Sequence, residues 1–353
     1  MIHIYNWKTN HSAEDAIMTG PRFTVNAKIL DNVMGITRFL TRENVHRNGR
    51  VAPYLRRVNR LRSLHSSLAI EGNRLSLDEV SAIIDGKAVR GPKDEIAEVR
   101  NAHTVYEMMD SLDPFSKEHL LQAHGLMMKD LVKGAGSFRT GDEGVFDSEG
   151  NCIHLAPGPE LVPKLMGDLL EWTRTSDYNM IVKSCVFHYG LEYIHPFEDG
   201  NGRMGRFWQT LLLSKFDGMF RWIPVESVIR TQQKEYYDAI EQSNESFDCT
   251  AFLEYMTGAI LKALGESEAS SVAEESGTDG LRSNEVALYA MIRDGYYRDV
   301  TQAAVQMGVS RATINRCLKI LRDKGLIVKE GNQKSGVWKI ADMHIQTDSD
   351  SKY

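Results

Sequence analysis

Between Met180 and Phe216 the chain runs apolar, polar and apolar again: MIVKSCVFHYGLEYI, then HPFEDGNGRMGR, then FWQTLLLSKF. The outer pieces read as helices apolar enough to lie at the centre of a fold. Any fold must therefore bury two consecutive helices and still accommodate the charged, glycine-rich span between them. Gly200 and Gly202 permit tight backbone turns where the second helix begins. A helix N-terminus presents unpaired N–H groups and the positive end of the dipole, so the two features together form an anion nest. Arg203 and Arg206, three residues apart, project from one side of that helix and can grip phosphate oxygens. Asp199 is a hard oxygen donor of the kind that holds Mg²⁺ together with substrate phosphates. His195 is the one group in the span able to accept a proton near neutral pH, which makes it the candidate general base. Phe197 is expected to point inward and Glu198 toward solvent. A plain polar turn needs none of these groups in combination; a phosphate site needs all of them.

The remainder of the chain supplies the context. Leu55, Val58, Leu61, Leu64 and Leu68 recur at helical spacing, and Gly72 follows as a stop. Ser76 and Glu79 form a capping-box signature ahead of LDEVSAIIDG. Leu120, Leu121, His124, Met127, Met128 and Leu131 make a further apolar face. Two β-prone pieces, Gly144–Phe146 and Cys152–Leu155, flank DSEGN and read as a hairpin. The expected class is mainly α with one small hairpin and an appended module. The expected divisions are an N-terminal helical region (1–110), a core (111–264), a Ser/Glu/Ala/Gly-rich linker (265–280), a basic module (281–345) and a tail (346–353).

HPFEDGNGRMGR resembles the signature of the Fic (filamentation induced by cyclic AMP) family, H-P-F-x-[D/E]-G-N-G-R-x-x-R, at every fixed position. With weaker flanking similarity the resemblance extends from about Asn59 to Leu264. It implies a mainly helical Fic core that transfers AMP from ATP to a Ser, Thr or Tyr hydroxyl of a protein, with ATP as substrate and Mg²⁺ as cofactor. On that resemblance His195 is the base and Asp199 the metal ligand. Gly200, Asn201, Gly202, Arg203, Met204 and Gly205 form the phosphate cradle, and Arg206 reaches the γ-phosphate. The intact G-N-G favours transfer of a nucleotide over transfer of phosphate. EYYDAIEQSN resembles the family's nucleotide-lining segment, so Tyr236, Tyr237 and Asn244 are candidate nucleotide contacts; ordinary helix packing is the alternative. The hairpin around Val145 and Ile153 resembles the flap against which a target segment lies as an added strand.

A second stretch, SSLAIEGN, places Ser67, Glu71 and Gly72 in the pattern S/T-x-x-x-E-G/N, the inhibitory motif of the same family. The spacing of four puts Ser67 and Glu71 on one helix face. The resemblance implies that Glu71 reaches Arg206 and takes the arginine that the γ-phosphate needs. The same glutamate assists removal of AMP in some members, so a de-AMPylating hydrolase is an alternative.

The net charge of −6 conceals an asymmetry. Between Leu281 and Ala341 eleven Lys and Arg face five Asp and Glu, a net +6, which leaves −12 elsewhere. DVTQAAVQMGVSRATINRCLKILRDKGLIVKEGNQKSGVWKI has the form of a winged helix-turn-helix. Gly308 marks its turn, and Ser310 caps a helix with Ile314, Leu318 and Leu321 inward and Arg311, Thr313, Asn315 and Arg316 outward. Such a face suits DNA; a protein-interaction or dimerisation module, including a homodimer, is the alternative. A nucleotide-sensing DNA-binding regulator is accordingly the competing function. Scattered Cys152, Cys185, Cys249 and Cys317, no apolar run long enough to span a bilayer and no secretory signal fit a cytoplasmic protein with no membrane partner.

Overall fold

In the computed structural model the described residues are 21–47, 53–146, 152–277, 283–293, 295, 297–307, 309–330 and 336–341. The elements run α1 (Ala27–Arg47), α2 (Pro53–Ile70), α3 (Leu77–Ile84), α4 (Lys93–Glu107), α5 (Lys117–Met127), β1 (Gly144–Phe146), β2 (Cys152–Leu155), α6 (Val162–Thr175), α7 (Met180–Ile194), α8 (Asn201–Phe216), α9 (Val225–Thr231), α10 (Gln233–Ser246) and α11 (Thr250–Gly277). They continue with α12 (Ser283–Arg293), α13 (Val300–Met307), α14 (Arg311–Asp323), β3 (Ile327–Glu330) and β4 (Val337–Ile340). The chain divides into two compact units, Met1–Val51 with Val58–Gly265 and Ala52–Arg57 with Glu266–Tyr353. Among the described residues no helix is long and apolar enough to cross a membrane.

The larger unit is built around α7, which is buried from Ile181 to Leu191 without a polar face. Apolar residues on every side, with Lys183, Ser184 and His188 also buried among them, let it serve two cores at once. Phe187, Leu191 and Ile194 pack with Leu61, Leu64 and Leu68 of α2, Val99 and Val105 of α4, and Met204, Phe207 and Trp208 of α8. Ile181, Val182, Cys185, Val186 and Tyr189 pack the other way, against α1, α9, α10 and α11. Helices on either side of residue 110 thus share one core, because the apolar stripe of α2 packs both on α4 of its own region and on α7 and α8.

Local signals explain the element ends. Ser76 accepts the Glu79 N–H while the Glu79 carboxylate accepts the Ser76 N–H, which starts α3. Gly72, at φ +92, closes the turn after α2. β1 and β2 pair antiparallel, Gly144 opposite Leu155 and Val145 opposite His154, with an irregularity between Val145 and Phe146; the intervening DSEGN lies outside the described residues. The expected linker differs from coil: α11 runs on through it to Gly277. Residues 266–276 contain neither Pro nor Gly and are rich in Glu and Ala, so nothing in the local sequence halts the helix.

Among the described residues of the smaller unit, α12, α13 and α14 are followed by an antiparallel pair, Ile327 opposite Ile340 and Glu330 opposite Val337. Ser310 caps α14 by accepting the Thr313 N–H at 3.1 Å. Ile314, Cys317, Leu318 and Leu321 face a core shared with Leu288, Ile292 and Ala303, while Arg311, Asn315 and Arg316 are exposed and Thr313 is partly buried. Gly308 and residues 331–335 lie outside the described residues.

Candidate active site

The polar span joins the two most buried helices, and its backbone is left-handed at both ends. His195 closes α7 at φ 49, ψ 60, and Gly200 precedes α8 at φ 85, ψ 10. No side chain caps α8, so the first N–H groups of its opening turn are open to a ligand. A Cβ on Gly200 would meet the Met128 sulfur at 2.6 Å, so glycine is required both for the angle and for the space.

Groups that the motif does not contain hold the loop. The His124 ring stacks on Phe197 with centroids 3.7 Å apart. Its Nδ1 accepts the Gly136 N–H at 3.0 Å, which leaves Nε2–H to donate to the Asp199 carbonyl at 3.0 Å. Burial pushes the His124 pKa down to about 4, in keeping with a neutral ring. Asn201 spends its amide on Phe197, accepting its N–H at 3.0 Å and donating to its carbonyl at 2.9 Å. Arg139 donates to the His195 carbonyl at 2.7 Å. His195 itself is half-buried, and its Nδ1 is buried with no hydrogen-bond partner among the described residues.

The two arginines are held by acids from elsewhere in the chain. Arg203 donates to Glu98 Oε1 at 2.9 Å and to both Asp199 oxygens at 3.0 and 3.1 Å, and its Nε is buried without a partner. Asp199 also accepts the Gly200 N–H at 2.5 Å, yet its side chain remains 53% exposed. One half-exposed carboxylate of this kind fits Mg²⁺ shared with phosphate oxygens and water. Among the described residues no group of three or more His, Cys, Asp or Glu could enclose a metal by itself.

Arg206 is 1% exposed and is gripped by the end of α2 and the residue that follows it: Nε donates to Ser67 Oγ at 3.1 Å, and Nη2 to the Ser67 carbonyl at 3.0 Å and to Glu71 Oε1 at 2.7 Å. Burial, the largest influence, works to lower its pKa, but the charges of Glu71, Tyr236 and Glu192 raise it above the ordinary value. The Glu71 carboxylate lies against the opening turn of α8; a Cβ on Gly202 would stand 2.3 Å from its Oε1. Ser63 to Glu226 (2.8 Å) and Ser66 to Ser227 (3.1 Å) fasten the same face of α2 to α9.

The other expected contacts are distributed unevenly. Met204 is fully buried in the core and presents no side chain to the nest. Tyr236 is 1% exposed and its hydroxyl lies 3.0 Å from His188 Nε2 and 3.4 Å from Glu192 Oε1, so it packs behind the site instead of lining it. Asn244 accepts the Tyr189 hydroxyl at 2.9 Å, and Tyr237 is 45% exposed. A Cβ on Gly205 would meet His188 at 2.7 Å and Glu192 at 2.9 Å, which is why α7 and α8 can close there. Burial works to raise the Glu192 pKa, but the hydrogen bond and charge of His188, with His195 and Arg206, hold it below the usual carboxylate range. Val145 and Ile153 lie on the paired strands β1 and β2; their side chains lie outside the described residues. Glu98, Arg139 and Glu192 carry no local signal that would have singled them out.

The sequence matches the Fic/DOC family over residues 114–213. A crystal structure of a Fic family protein from Desulfovibrio desulfuricans is similar at 36% identity and a TM-score of 0.71, covering 92% of this chain and 99% of that one. Among curated proteins, a protein adenylyltransferase Fic of Nematostella vectensis is 27% identical over 210 residues, 55% of this chain and 45% of that protein. A probable protein adenylyltransferase of Aquifex aeolicus is 28% identical over 185 residues, 51% of this chain and 53% of that protein. The chain spans about half the length of these two relatives.

Proposed function

This chain belongs to the Fic family, and from that membership we propose that it is a protein adenylyltransferase held in an inhibited state by Glu71. The observation that carries the reading is the Glu71–Arg206 pair lying across the glycine turn that also bears His195 and Asp199. ATP phosphates bind the N–H groups at the start of α8, with Arg206 on the γ-phosphate once Glu71 has moved aside. The target hydroxyl oxygen attacks the α-phosphorus as the bond to the bridging oxygen breaks and pyrophosphate leaves. His195 takes the hydroxyl proton. Asp199 is the residue to hold Mg²⁺, which supplies charge neutralisation on the phosphates. Little covalent work falls to the protein; alignment and electrostatics do most of it. The target segment lies along the β1–β2 hairpin as an added strand.

The test is mass spectrometry after incubation with Mg-ATP. The Glu71→Gly chain gains one AMP or passes it to an added protein, and Glu71→Gly with His195→Ala does neither. Retention of transfer without His195 would remove it as the base.

A second reading concerns the smaller unit. Exposed Arg311, Asn315 and Arg316 on capped α14, followed by the β3–β4 pair, support a winged helix-turn-helix that binds duplex DNA in the major groove. A mobility-shift titration across salt should give a defined site and a steep salt dependence. Equal, shallow binding to every duplex would leave the protein-interaction alternative.

A further inference from the structure

We propose that Arg139 is a positioning residue that couples the β1–β2 hairpin to His195. Its side chain is buried, with the residue 2% exposed, yet among the described residues it meets no carboxylate within hydrogen-bond distance. The fork is satisfied entirely by backbone carbonyls. Nε donates to His195 O at 2.7 Å and Nη1 to Gly141 O at 2.8 Å. Nη2 donates to Pro157 O and, at 3.3 Å, to Ile194 O. The Arg139 main-chain N–H adds a bond to Pro196 O at 2.9 Å.

These acceptors belong to two structures that otherwise have no reason to move together. Ile194, His195 and Pro196 are the turn that carries the base. Gly141 lies three residues before β1 and Pro157 two residues after β2, so the same guanidinium holds both ends of the hairpin. The Ala156 N–H to Glu143 O bond at 3.1 Å closes the ladder between those ends. His195 has a left-handed backbone that a residue with a Cβ adopts only under constraint. A bond to its own carbonyl from a buried fork supplies such a constraint. One planar group with five donors can do this; a lysine ammonium carries the charge but not the geometry. The consequence is that the hairpin edge, and any strand added to it, keeps a set position relative to the base. That catalytic consequence rests on the adenylyl-transfer reading; the coupling itself does not.

The experiment compares the full-length Glu71→Gly chain with its Arg139→Lys and Arg139→Met derivatives. Amide exchange is read by mass spectrometry, and the His195 ring C–H resonance, assigned by its loss in His195→Ala, by NMR. In Arg139→Lys, exchange at 144–146, 152–156 and 195–197 rises together by at least about tenfold, while α7 and α8 keep their protection. The His195 resonance shifts, and ATP affinity stays within about twofold because Arg139 does not touch the nest. Arg139→Met shows the same pattern, more strongly. A hairpin that loosens while 195–197 and the His195 signal are unmoved overturns the coupling. So does a general loss of protection through α7 and α8 in Arg139→Lys, which would make the residue a staple of the whole fold. AMP incorporation from Mg-ATP is followed in parallel. Its absence in the Glu71→Gly parent would defeat the transferase reading and leave the coupling to be decided by exchange alone.

Discussion

Replacing Glu71 by glycine removes the carboxylate from a guanidinium that is 1% exposed. Breaking a fully buried pair from one side costs about 3–5 kcal/mol. Glu71 is 28% exposed, so water can partly replace it, and Arg206 keeps its two bonds to Ser67. A cost of about 2 kcal/mol follows from that discount. For a unit of this size it lowers Tm by roughly 5 °C. The same substitution opens Arg206 to the γ-phosphate, and a charge-assisted hydrogen bond is worth about 1.5–3 kcal/mol. With Mg²⁺ present, ATP should therefore bind the Glu71→Gly chain at least about tenfold more tightly than ADP does. In the native chain, where Glu71 holds the arginine, ATP and ADP should differ much less. Thermal titration reads both effects in one assay, because saturating ligand raises Tm in proportion to the logarithm of its concentration over Kd. Equal discrimination between ATP and ADP in the two proteins would refute the argument that Glu71 competes with the γ-phosphate. An unchanged Tm without ligand would refute the buried-pair argument independently.

Gly200→Ala forces a Cβ into a left-handed position and onto the Met128 sulfur, and should cost about 2 kcal/mol and weaken binding of a fluorescent ATP analogue; equal affinity would show that the turn has room to adjust. Glu98→Ala leaves Asp199 as the sole carboxylate on Arg203, so the Mg²⁺ concentration needed for half-maximal ATP binding should rise by about tenfold, as checked by calorimetric titration at several Mg²⁺ levels. Burial pushes the Cys185 thiol up to about 12 and the Cys249 thiol higher still, so both are protonated at pH 8. Neither should react with iodoacetamide in the folded protein, and peptide mapping should find them labelled only after unfolding.

What could be read along the chain was local. The stripe of Val58, Leu61, Leu64 and Leu68, the Ser76–Glu79 box, the apolar length of α7 and the glycines that open α8 are patterns within four residues of one another. Physical chemistry acts on them before any tertiary contact forms, so the helices, their ends and the glycine turn were legible. The charge asymmetry that sets off the basic module was legible for the same reason. The continuation of α11 through the expected linker was missed because Ser, Glu and Ala give no apolar stripe while still favouring helix.

The tertiary structure decided which polar groups are spent and which stay available. Arg203 and Arg206 project from one side of α8, but Glu98 engages one across 105 positions and Glu71 the other across 135. Asn201 is turned inward onto Phe197, Tyr236 is sealed behind the site, and Arg139 reaches the His195 carbonyl across 56 positions. Apart from the Glu71 contact, which the S-x-x-x-E-G pattern anticipates by resemblance, none of these outcomes is encoded in spacing. A long polar side chain goes where a buried partner satisfies it, and that partner exists only after α2, α4, α7 and α8 have packed. The sequence by itself determined that a glycine turn carrying His195, Asp199 and two arginines would form between two buried helices. Packing brought the Glu71 carboxylate, which the S-x-x-x-E-G pattern marks out by resemblance, to 2.7 Å from Arg206, and added the contacts of Glu98 and Arg139, which no pattern marks.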